Sequence, residues 1–209
     1  FKAAVADREE IPGMVYLSDY DLGKSGFAYY DVDSADYNLS TGSFQAWNRG
    51  WRYRNDGVDI ETNSDSKSNG YHIGFVGKGE WIKYTVNVKE AGLYRADFRH
   101  DSAADGARFY LSNNDQNLTS VLSTNSTGGW FDFITTSMNG LVLNEGRQEI
   151  KIHFDSNNEV NISSIEFVKV GEINQANFSS VSANTASNEK SIELYLNQDV
   201  DEGTLENVI

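Results

Sequence analysis

Apolar and polar residues alternate one by one in WIKYTVNV (81–88), LYRADFRH (93–100), ARFYLS (107–112) and QEIKIHFD (148–155). In the last of these, Ile150, Ile152 and Phe154 fall on one side and Glu149, Lys151 and His153 on the other, as a strand with one buried and one wet face requires. A helix cannot use such a pattern, because its period of 3.6 would scatter the apolar residues around its circumference. The intervening KEAG, DSAADG, SNNDQN, NSTGG and LNEG are dense in Asn, Asp, Ser and Gly, which accept left-handed turn angles or hydrogen-bond their own backbone. Nowhere does an apolar helical period persist between caps. Short strands at roughly ten-residue spacing predict an all-β, antiparallel β-sandwich.

At 209 residues the chain has room for one full core and part of another. A boundary is expected near 170–177, where NISSIEFVKV gives way to GEINQAN and a new alternating strand, SIELYLN (191–197), follows. Residues 1–10 read as a linker or edge strand, 11–169 as the sandwich, and 170–209 as a linker with a short β extension. Two strands cannot close a sandwich, so this acidic tail reads as the opening of a second domain.

The formal net charge of -14 disfavours nucleic acid and anionic membrane partners, both of which need clustered Lys and Arg. The absence of cysteine excludes disulfides, thiol catalysis and cysteine-type zinc sites. No apolar run approaches the ~20 residues of a membrane span. The start, FKAAVADREE, lacks a signal-peptide core, and the chain reads as a segment of a longer precursor.

Few patterns carry chemistry. Asp59 and Glu61 stand two apart on an expected strand, the arrangement in which a glycosidase would place paired carboxyls; the competing reading is an acidic sheet face in water. DVDSADYNLSTG (31–42) begins like a calcium loop, but Asp36 occupies the position of the sharp-turn glycine and Gly42 that of the bidentate glutamate. His72, His100 and His153 stand on separate strands without metal-ligand spacing and read as surface or edge residues. STGGWFDF (126–133) sets Trp130 behind two glycines, where a chain normally turns through water.

Taken in order, IPG from Ile11, YRNDGVDIE from Tyr53, GEWIKYTVNVKEAGLY from Gly79, TGGW ending at Trp130 and VNISSIEF with Asn161 closely resemble the family 6 carbohydrate-binding modules found beside bacterial glycoside hydrolases. The resemblance covers about Ile11 to Lys169. It implies a galactose-binding-like jelly roll that binds polysaccharide without altering it. It further implies that Tyr53 and Trp130 clamp a sugar ring while Asn161 bonds its hydroxyls. Flat rings suit the C–H faces of a pyranose, and an amide, both donor and acceptor, suits its rim.

The chain departs from that family in two places. SADYNLSTGSFQAWNRGW is an insertion that brings Tyr37, Phe44, Trp47 and Trp51 beside Tyr53; Trp47 and Trp51 either extend the sugar platform or hold the long loop together. The family's structural calcium is bound by two glutamates of the first strand, where this chain has Tyr16 and Ser18. The family's second binding surface, a concave sheet face, would here include Asp59, Glu61 and Trp81. The tail, with FSSVSAN and SIELYLNQDVD, resembles the first strands of bacterial immunoglobulin-like spacers. The expectation is a non-catalytic module that targets an attached glycoside hydrolase, secreted or on a bacterial surface, to a plant cell-wall xylan or β-glucan. The alternatives are a hydrolase acting through Asp59 and Glu61, and a structural or adhesion domain with no sugar site.

Overall fold

The computed structural model describes residues 9–32, 53–54, 57–157, 160–173, 178–184 and 191–196. Trp47 and Trp51, with Tyr37 and Phe44, lie outside them. The chain divides into two units, Phe1–Glu172 and Ile173–Ile209. The first is a sandwich of two sheets. One has seven strands, in the order β1 (Glu9–Ile11), β6 (Trp81–Val88), β12 (Gly146–Phe154), β8 (Ala107–Asn113) and β10 (Leu122–Thr124). Two short strands extend it: β3 (Tyr29–Tyr30) on β6 and β9 (Gln116–Asn117) on β8. The other has six, in the order β11 (Ile134–Leu143), β7 (Gly92–Asp101), β13 (Asn161–Gly171), β5 (Tyr71–Ile73) and β4 (Ile60–Thr62), with β2 (Gly13–Tyr16) on β13. Among the described strands only β1 and β6 pair in parallel.

The alternation read from the sequence is what builds the core. In β7, Tyr94, Ala96 and Phe98 point inward and are inaccessible, while Leu93, Arg95, Asp97 and Arg99 are partly exposed. In β12, Ile150, Ile152 and Phe154 do the same. Phe98 meets Phe109 of the opposite sheet edge to face, centroids 5.1 Å apart, so the rings of the two layers interlock. Each such buried ring contributes about 1.5–3 kcal/mol relative to exposure.

The histidines differ from expectation. His100 continues the inward register of β7 and is fully buried, because its cross-strand partner is the core residue Ile162. Its Nε2 lies 2.8 Å from the Thr136 hydroxyl. Burial and the neighbouring Arg99 charge lower its pKa from 6.5 to about 4, so it packs as a neutral ring. His72 is also fully buried, covered by two phenylalanines described below. Only His153 turns outward, stacked on Tyr110 at 4.7 Å. In the second unit, β14 (Phe178–Asn184) and β15 (Ser191–Leu196) form an antiparallel pair.

Candidate functional site

At one end of the six-stranded sheet, β7 finishes and β13 begins side by side, and Asp101 and Asn161 are direct cross-strand partners. Partners of this kind project to the same side of a sheet. Asn161 Nδ2 donates to Asp101 Oδ1 at 2.9 Å, and the backbone N–H of Phe131 donates to Asp101 Oδ2 at 3.1 Å. One fully buried carboxylate thus holds both Asn161 and the loop that carries Trp130. Burial outweighs these two hydrogen bonds and raises the Asp101 pKa from 3.8 to about 6. The amide of Asn161 spends one of its two N–H donors on Asp101, which leaves one donor and a carbonyl oxygen. That oxygen lies over Gly74, at 2.5 Å from where a Cβ would stand, so only glycine admits it.

The Trp130 loop connects β10 to β11 and is laced to the segment after β7. Thr127 N–H donates to Ser102 O at 2.8 Å, Ser102 N–H to Thr127 Oγ1 at 3.1 Å, and Ser126 N–H to Asp105 Oδ1 at 2.7 Å. Gly128 adopts φ +113°, which lets the chain reverse before the indole. Trp130 is 42% exposed, far more than a packed core tryptophan.

Four non-glycine residues among those described have left-handed backbones. Asn114 and Asp115 are ordinary hairpin-turn residues between β8 and β9. The other two are phenylalanines: Phe75, at φ 53°, directly after Gly74, and Phe131, at φ 71°, directly after Trp130. A bulky residue in this region is strained by roughly 1–3 kcal/mol and persists only where the surroundings impose it. Both side chains are exposed, Phe75 by 37% and Phe131 by 55%. Two strained, exposed aromatics therefore follow directly after Gly74, where the Asn161 amide lies, and after Trp130.

Beneath this end, Phe131 and Phe133 cover His72, each at a centroid distance of 5.7 Å. His72 faces Glu61, its partner across β4 and β5, with Nε2 3.6 Å from Oε2. Asp65 accepts two hydrogen bonds from the Arg99 guanidinium, which holds its carboxyl below the usual range. Together these contacts tie Phe131 and Phe133 to β4, β5 and β7.

The structure places Tyr53 elsewhere. Its ring packs on Tyr71 at 4.4 Å and its hydroxyl donates to the Asp19 carboxylate. Burial, then that hydrogen bond, pushes its pKa up to about 12. Tyr71 lies against the core, whereas His72, the next residue of β5, faces the Trp130 loop. Successive side chains of a strand point to opposite faces, so Tyr53 and the Trp130 loop attach to opposite sides of β5. Tyr53 instead lines a cavity of about 500 Å³ with Arg54, Tyr20, Phe27, Lys83 and Glu149. The exposed aromatic residue next in the chain to Gly74, over which the Asn161 amide lies, is Phe75, which motif reasoning missed; its signal was the Gly-Phe pair closing YHIGF.

The expected second face also divides. Glu61 lies on the six-stranded sheet, and Trp81 belongs to β6 of the other sheet. Asp59 precedes β4, is 8% exposed and lines a small cavity among Val58, Ile73, Val76 and Ile82. Asp59 and Glu61 therefore present no joint pair of carboxylates to solvent. Trp81 has different company: its partner across the strands is His153, which stacks on Tyr110, and Lys151 Nζ lies 4.7 Å from the indole.

The calcium position fares no better. Ser18 is fully buried, and its hydroxyl accepts from Asn69 Nδ2 at 2.8 Å. An amide donor stands where a cation would need oxygen acceptors, so these residues do not fit a calcium ion.

The sequence profile of the carbohydrate binding module (family 6) matches residues 51–169, more than half of the chain. The chain belongs to carbohydrate-binding module family 6. This is a non-catalytic binding family. The family 6 module is 31% identical over 121 residues to the β-agarase AgaO of Microbulbifer thermotolerans, a match covering 57% of this chain and 10% of the agarase. The chain thus spans about a tenth of that relative's length. Its fold is similar to the family 6 module CsCBM6-3 of Clostridium stercorarium in complex with cellobiose, at TM-score 0.55 and 15% identity, over 79% of this chain and 100% of that one. It is similar again to a β-1,3-glucan binding family 6 module of Bacillus halodurans, at TM-score 0.54 and 17% identity, over 77% and 98%.

Proposed function

We propose that this family 6 module holds a neutral polysaccharide by laying one sugar ring against Trp130, with the free donor and carbonyl of Asn161 on the sugar hydroxyls and Phe75 as the second aromatic surface. The observation that carries this reading is the pair of left-handed phenylalanines, Phe75 and Phe131, beside an exposed indole. Strain of that kind gathers at ligand clamps, where rings are held out at the expense of local backbone energy.

Magnitudes follow from area. If each ring covers ~80 Å² of sugar face, at roughly 25 cal/mol per Å² the pair contributes about 4 kcal/mol. After ordering losses this predicts micromolar to millimolar affinity per site. Such weak contact suits a tether that raises the local concentration of an attached glycoside hydrolase on its substrate. That arrangement, in a secreted or surface-bound protein, is part of the proposal. A net charge of -14 favours uncharged glycans over acidic ones. Xylan and β-glucan remain the first candidates, and the agarase relative adds agar galactans. The Trp81, His153 and Tyr110 row is a candidate second sugar surface.

The test is affinity electrophoresis of the chain through xylan, β-glucan and agarose, with Trp130→Ala as control. Retardation by at least one polysaccharide that the variant loses supports the proposal. Equal migration of both proteins in every gel, with both folded by circular dichroism, defeats it.

A further inference from the structure

Neither the motif nor the stacking geometry accounts for a charge that never meets solvent. Asp101 is fully buried at the end of β7, yet it is the joint between two parts of the site. One of its oxygens accepts from the Asn161 side chain and the other from the backbone of Phe131, the strained residue that follows Trp130. We propose that Asp101 is a positioning residue of the glycan site, whose ionised carboxylate couples the Trp130 loop to Asn161, so that protonation in mild acid releases the two together. The proposal rests on the glycan-binding reading above.

The chemistry is one of acceptor count. A carboxylate offers two acceptor oxygens and takes both N–H donors at once. A protonated carboxyl turns one oxygen into a donor, which then confronts an N–H. The hydroxyl oxygen keeps only weak acceptor capacity, so one of the two bonds weakens and leaves its buried N–H poorly paired. The left-handed backbone of Phe131 then loses the restraint of that hydrogen bond. The charged groups around Asp101 are few: His72 of β5, which favours the ionised form; Glu61 of β4, which faces His72; Asp132 of the loop, which opposes ionisation; and Arg99 of its own strand, committed to Asp65. With the midpoint at about 6, the carboxylate is ionised at neutral pH and about one-tenth ionised near pH 5. Apparent affinity scales with the fraction in the competent state, so about a tenfold loss is expected over that span.

The experiment uses the full chain and Asp101→Asn, whose amide is the same shape but offers a single acceptor. Affinity gels with xylan, β-glucan and agarose are run at pH 7.5 and pH 5.0. In parallel, amide exchange at Phe131 is followed by NMR across the same range without any sugar. The expected result is wild-type affinity about tenfold weaker at pH 5.0 and Phe131 protection lost with a midpoint near 6. Asp101→Asn should be about tenfold weaker at pH 7.5 and unchanged at pH 5.0. A wild-type protein with flat affinity and flat Phe131 exchange overturns the inference, as does an Asp101→Asn variant that binds like wild type at pH 7.5. Should the wild type bind none of the three glycans, the functional reading is what fails. The ligand-free exchange then decides the coupling alone, a midpoint near 6 supporting it and a flat profile overturning it.

Discussion

Replacing Gly74 by alanine adds a single methyl group at the closest contact in the site. Its backbone lies outside the left-handed region, so the substitution carries no conformational strain, and the nearest atom to the new Cβ is Asn161 Oδ1 at 2.5 Å. Real Cβ contacts stop at 3.0 Å, so the amide must retreat by at least 0.5 Å. It cannot retreat freely, because Nδ2 is already held at 2.9 Å by the buried Asp101 carboxylate. The displaced amide loses that bond's geometry, at about 1–3 kcal/mol of stability. For a chain of this size that is roughly 5 °C in Tm. The carbonyl also leaves the place where it would meet a sugar hydroxyl, weakening affinity by about tenfold. Calorimetric titration with the retained glycan and differential scanning fluorimetry read both effects. The decisive control is the pair of substitutions in one chain. Once Asn161→Ala has removed the clashing oxygen, Gly74→Ala should cost almost nothing further. Wild-type affinity in the single variant, or an undiminished penalty in the Asn161→Ala background, would refute the argument.

Trp130→Ala should weaken glycan affinity by about 30-fold, the equivalent of about 2 kcal/mol of covered sugar face, with the unfolding curve shifted by only a few degrees; an unchanged dissociation constant would remove the indole from the site. Tyr53→Phe should lower stability by about 1 kcal/mol through loss of the bond to Asp19 and leave glycan affinity within twofold, whereas a loss of affinity would return Tyr53 to the site. The pH dependence of stability contains two opposed contributions. His100, lowered from 6.5 to about 4, stabilises above pH 6.5 and loses that contribution as pH falls through 4. Asp101, raised from 3.8 to about 6, stabilises below pH 3.8 and loses that contribution as pH rises through 6. The two contributions are similar in size and opposite in sign, so wild-type Tm should change little between pH 4 and 6 on their account, while Asp101→Asn should lose stability on acidification; parallel Tm profiles would contradict the assignment.

The strands of the sandwich were readable because alternation is a local property: the residues of β7 and β12 declare their buried face without reference to any partner strand. The exposure of Trp130 was readable for a related reason, since the short run TGGW specifies a turn. His100 follows the register of Phe98 into the core, so position in the strand decides its burial and its titratable ring does not.

What the amino-acid order determined alone was the alternating strands β6, β7, β8 and β12, the turns around them, an acidic charge that disfavours polyanionic partners and a tryptophan set behind two glycines. What only the tertiary structure decided was company. Tyr53 and the Trp130 loop attach to opposite faces of β5, Trp81 and Glu61 belong to different sheets, and the Asn161 amide lies over Gly74 because glycine leaves space for it. The reason is that a strand's faces are set by nearest neighbours in sequence, whereas which two faces meet is set by hydrogen bonding between residues such as Asp101 and Asn161, sixty positions apart along the chain.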